Sequence, residues 1–97
     1  MDRTRKTAPV YAAGEGRTEA LAALLDGGVD VNRRYDNDLT ALMWAAGQGH
    51  RDTVEMLLAR GASPEGKDNR GKTALAIAAE TGHPDIADVL RRAGAAR

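Results

Sequence analysis

The residues most suited to chemistry are two histidines, His50 and His83, each followed two places on by an aspartate, Asp52 and Asp85. An imidazole beside a carboxylate can serve general acid–base work or join a metal site. The two histidines stand 33 residues apart, and Arg17 fills the same place a further 33 residues upstream. A residue that recurs at one place of a repeated segment is expected to serve the fold. If equivalent segments lie side by side, their histidines are separated by a helix-packing distance of roughly 8–10 Å. Zinc needs its ligands about 2 Å from a common centre. Threonine, histidine and aspartate could be drawn as a nucleophilic set, but nothing in the sequence gathers them into one pocket. The glycines are spaced as helix ends and form no phosphate-binding loop. The expectation is therefore no enzyme, with no catalytic, cofactor-binding or metal-binding residue and no cofactor.

The elements that would position these residues follow from the period. Residues 40–50 (TALMWAAGQGH) recur as 73–83 (TALAIAAETGH), with a weaker copy at 7–17 (TAPVYAAGEGR). Fixed periodicity of this size signals a stacked array. Thr7, Thr40 and Thr73 are placed to cap the first helix of each unit, since a threonine hydroxyl accepts from an orphan N–H of the first turn. Gly16, Gly49 and Gly82 close that helix, where a left-handed residue is favoured. A second helix then opens, with Glu19, Asp52 and Asp85 at its positive end and Pro84 at its first position. Leu21, Leu24 and Leu25, and Val54, Leu57 and Leu58, take the i, i+3, i+4 spacing of a helical apolar stripe. Gly28, Gly61 and Gly94 end it. Helices this short are marginal alone, and the alanine pairs 12–13, 45–46 and 78–79 let neighbouring helices approach closely. The units must stack to share one core.

These residues resemble the ankyrin repeat family. Unit three carries the pattern as Asp68, Gly71, Thr73, Leu75, Ala78, Ala79, Gly82 and His83; unit two as Thr40, Leu42, Ala45, Ala46, Gly49, His50, Leu57, Leu58 and Gly61. The resemblance implies an all-α, ankyrin-type α-solenoid of three stacked helix-turn-helix repeats joined by β-turn-like loops. One domain is expected over residues 1–97, with repeats at about 2–34, 35–67 and 68–97. Asp38 replaces the turn glycine of unit two, and aspartate tolerates positive φ better than most residues. Pro9 replaces a core leucine and is expected to shift or shorten the first helix; Pro64 and Gly66 are expected to disturb the link between units two and three. Arg91, where the earlier units have Leu25 and Leu58, reads as a polar terminal cap.

The resemblance further implies a protein–protein interaction module, a scaffold, adaptor or regulatory binder. Its protein or peptide partner would meet the turn tips and the exposed side of the first helices. Mapped onto this chain, these are Arg3, Thr4 and Lys6, then Asp36, Asn37 and Leu39, then Asn69, Arg70 and Lys72. The helix-side positions are Gly14 and Glu15, Gly47 and Gln48, and Glu80 and Thr81. With Arg33, Arg34 and Lys67 nearby, a mildly basic edge would suit an acidic partner. Tyr11, Trp44 and Ile77 form a column expected to be core between units, the alternative being an aromatic anchor at a binding surface. Rival readings are a self-assembling or engineered structural unit, and a metal protein or enzyme built on His50 and His83.

Composition narrows the partner class. Fourteen basic and fourteen acidic side chains cancel, so bulk electrostatics favours neither nucleic acid nor an anionic membrane. No apolar run approaches the roughly 18 residues of a membrane span. With no cysteine there are no disulfides. The charged N-terminus leads into no signal-type apolar segment. A cytoplasmic monomer is expected, periplasmic or exported if a leader was removed, and the excess of arginine over lysine together with plentiful alanine points to a bacterial source.

Overall fold

The computed structural model of the chain describes the backbone of residues 3–94 and the side chains of residues 8–94. Among the described residues six α-helices pair into three hairpins: α1 (Arg3–Gly14) with α2 (Thr18–Asp26), α3 (Ala41–Gly47) with α4 (Arg51–Ala59), and α5 (Ala74–Glu80) with α6 (Pro84–Arg92). Among the described residues there is no strand, and no helix is long and apolar enough to cross a membrane. The first helices α1, α3 and α5 stack as one layer and the second helices α2, α4 and α6 as another, giving a body of 37 × 25 × 20 Å.

Local chemistry sets these boundaries. The Thr40 hydroxyl accepts from the Met43 N–H at 3.3 Å and that of Thr73 from the Ala76 N–H at 3.2 Å, so α3 and α5 start where their caps stand. Gly16, Gly49 and Gly82 turn the chain at φ of 73°, 83° and 84°. The core is continuous: Ala13, Ala45, Ala46 and Ala78 between the first helices, and Leu21, Leu57, Ile86 and Leu90 between the layers, are all closed to solvent. The second helices are also tied through polar groups. The hydroxyls of Thr18 and Thr53 meet at 2.7 Å with Thr53 buried, and Arg60 reaches back to Asp26 at 2.6 Å.

The first unit departs from the expected pattern. Thr7 does not start its helix, and Pro9 does not shorten it: α1 begins at Arg3 and carries Pro9 inside. The cause lies at position 5, which corresponds to Asp38 and Gly71. Those two residues sit at φ of 62° and 80° and bend the chain into a tip. An arginine has no comparable ease at positive φ, so the backbone stays right-handed and the helix gains a turn. The link between units two and three is likewise ordered, not disturbed. A side chain at Gly66 would come within 3.3 Å of the Arg34 guanidinium, so the glycine leaves room for Arg34 to donate to the carbonyls of Lys67 and Asp38.

Candidate partner-binding surface

The histidines are occupied in joining the units. The His50 ring lies against Gly16, where an added Cβ would meet Nδ1 at 2.6 Å, and its Nε2–H donates to the Gly14 carbonyl at 2.9 Å. His83 lies against Gly49, where a Cβ would meet Nε2 at 2.5 Å, and its Nδ1 meets the Thr81 hydroxyl at 2.9 Å. Each glycine therefore has two reasons to lack a side chain: its left-handed backbone, and the ring of the next unit resting on it. Among the described residues no three His, Asp or Glu side chains converge on a point that could hold a metal.

The turn tips are built in two ways. In unit three the buried Asp68 carboxylate, its side chain 1% exposed, closes the tip. It accepts from the N–H groups of Arg70 and Lys72 at 2.8 and 3.0 Å and from the Arg70 guanidinium at 2.7 and 3.0 Å. Burial alone would push its pKa up, but the bonds from Lys72 and Arg70, together with the Arg70 charge, outweigh that and hold it below the usual carboxylate range. In unit two Tyr35 stands in place of Asp68 and offers no such acceptor. Both Asn37 and Asp38 then take positive φ, 63° and 62°, in a short 3-10 turn at Asp36–Asp38. The buried Tyr35 hydroxyl has no hydrogen-bond partner among the described residues, and burial raises its pKa.

The expected contact residues fall into three groups. The side chains of Arg3, Thr4 and Lys6 lie outside the described residues. Asp36, Asn37, Gln48, Asn69, Arg70, Glu80 and Thr81 are exposed. Adjacent tips are joined: the Asn69 N–H donates to the Asn37 carbonyl at 3.0 Å, and Lys72 bridges from tip to helix side by pairing with Glu80. Leu39 differs from expectation; it is half-buried against the core, because the tip folds it inward over α3. Part of the positive charge of this edge is engaged within the fold. Arg70 pairs with Asp68, Lys72 with Glu80, Arg34 with backbone carbonyls, and Arg33 stacks 5.6 Å from the Tyr35 ring centre.

The aromatic column also departs from a uniform core stripe. Ile77 is buried at 7% exposure, Trp44 is half-buried and Tyr11 is 60% exposed. The gradient follows the order of the stack, from Ile77 on α5 through Trp44 on α3 to Tyr11 on α1. Val10, Tyr11, Gly14 and Trp44 form an open recess of about 340 Å³, with Glu15 and Gln48 at its rim. Gly14 lies beside the indole: a Cβ there would touch the six-membered ring of Trp44 at 3.7 Å. The 33-residue alignment of Tyr11 with Trp44 was the available signal for this recess; its depth depends on Gly14, which the same alignment matches to Gly47 and Glu80.

Comparison with known proteins agrees with this geometry. A family profile described as ankyrin repeats, in three copies, matches residues 10–96. No curated protein matches the chain. Among solved structures, the crystal structure of the human ASB11 ankyrin repeat domain is similar, with a TM-score of 0.84 and 34% identity over 91% of this chain. This chain covers 40% of that one, so it spans less than half its length.

Proposed function

The chain belongs to the ankyrin repeat family, and on that premise we propose that it is a non-catalytic protein–protein interaction module, as repeats of this family generally are. Its partner is a protein or peptide that lies across the turn tips and the exposed side of the first helices. The observation that carries this reading is the set of exposed polar residues, Asp36, Gln48 and Asn69, on an edge whose core is already closed beneath them. A body 37 Å long offers room for a standard interface of roughly 800 Å² per partner. The setting that fits the composition is the cytoplasm of a bacterium.

The test is affinity capture from the native host with the wild-type protein and an Asp36→Lys, Asn69→Lys double variant, whose urea midpoint should be unchanged. The variant is expected to lose the captured partner; if it keeps every captured species, the edge is wrongly chosen. A second reading, self-assembly end to end, is favoured by Ala79, which is exposed where its counterparts Ala13 and Ala46 are fully buried. A molecular mass that stays that of a monomer across a hundredfold concentration range in light scattering removes it.

A further inference from the structure

We propose that the recess between Tyr11 and Trp44 receives the guanidinium of an arginine on the partner, paired with the carboxylate of Glu15. The inference rests on the helix side of the array being its partner side, and adds which chemistry that side selects. Two aromatic rings line the same opening, one of them 60% exposed and the other half-buried. The faces of such rings attract a cation, tryptophan most strongly, and a planar guanidinium can stack on them. Among the described residues no lysine or arginine lines the recess, and its one charged group is the Glu15 carboxylate, with the Gln48 amide beside it. The opening is therefore complementary to positive charge, and Gly14 leaves its floor bare of any side chain that would fill it.

The present partner of Glu15 does not block this. Arg17 stands 3.6 Å from it, with both side chains well exposed at 62% and 45%. An exposed pair of that kind contributes little and exchanges readily. An incoming guanidinium would take over the carboxylate while gaining the rings, which Arg17 does not line. A purely apolar side chain would find the same rings and leave Glu15 and Gln48 unused, so charge is the property that separates the two occupants.

Trp44 is the only tryptophan, which makes its emission a direct readout of occupancy. The probe is an acetylated and amidated hexapeptide of alternating glycine and arginine, titrated against the same peptides with citrulline or leucine in place of arginine. The arginine peptide is expected to shift Trp44 emission saturably. Citrulline, leucine, Glu15→Gln or Tyr11→Ala should each weaken the dissociation constant about tenfold. Both substitutions are at exposed positions, and an unchanged urea midpoint confirms that the variants are folded. Equal binding of the citrulline or leucine peptide overturns the proposal, as does the absence of any shift at millimolar arginine peptide. Loss of the recess with partner capture intact refutes this inference alone. Arginine binding that survives while capture proves indifferent to the edge refutes the broader function instead.

Discussion

At the scale of single residues, Asp68 shows how one carboxylate can hold a turn. Its folded pKa is depressed, so its contribution to stability is present above the unfolded value of about 3.9 and is lost as pH falls through the folded value. The urea midpoint of the wild type should decline below about pH 4. Asp68→Asn should start lower at neutral pH and lose part of that decline; an unchanged acid limb would show that the carboxylate is not holding the tip. The paired glycines separate two effects that usually come together. Gly61 sits at φ 94° with open space around it, so Gly61→Ala should cost only the left-handed backbone term, about 1–2 kcal/mol. Gly49 is at φ 83° and also carries the His83 ring. Gly49→Ala should cost a further 1–3 kcal/mol or so from overpacking, read as the difference in urea midpoints at a shared m-value.

At the scale of elements, what was legible in the sequence was whatever a repeated position states more than once. Thr40 and Thr73 cap as expected, and Asp38 accepts positive φ as expected, because local backbone chemistry decides both. The start of α1 was misjudged from Thr7, because capping depends on the turn before it, and position 5 lacks a residue that will turn. The half-burial of Leu39 was not legible, because alignment fixes a place along the chain, whereas the fold of the tip decides which way a side chain faces. The pairing of Lys72 with Glu80 is likewise not written in the sequence, because only the fold brings those two side chains near. Helix α1 supplies its own test. Pro9 is buried in its interior, where proline removes a backbone bond and typically costs about 3 kcal/mol or more. Pro9→Leu restores that bond and matches the buried Leu42 and Leu75. It should raise the melting temperature by several degrees, at about 4–8 °C per kcal/mol for a domain of this size; a lower temperature would mean the proline is needed to set the path of α1.

At the scale of the whole molecule, the core has no boundary within it, and the three units should not melt separately. Leu57 lies in the middle unit at 0% exposure, so Leu57→Ala should cost about 2–5 kcal/mol. The loss should appear as one earlier transition, with Trp44 emission and far-ultraviolet dichroism still coincident. Transitions that separate would show that a terminal unit folds independently.

Each unit meets the next chiefly through its first helix, α1 to α3 to α5, with smaller contacts from α2 to α4 to α6. The body therefore resembles a leaf spring with two joints in series, and its compliance is the sum of theirs. A histidine resting on a glycine is the bearing of each joint. A change at either bearing would alter the curvature of the entire spring, and with it the shape of any object the spring can grip.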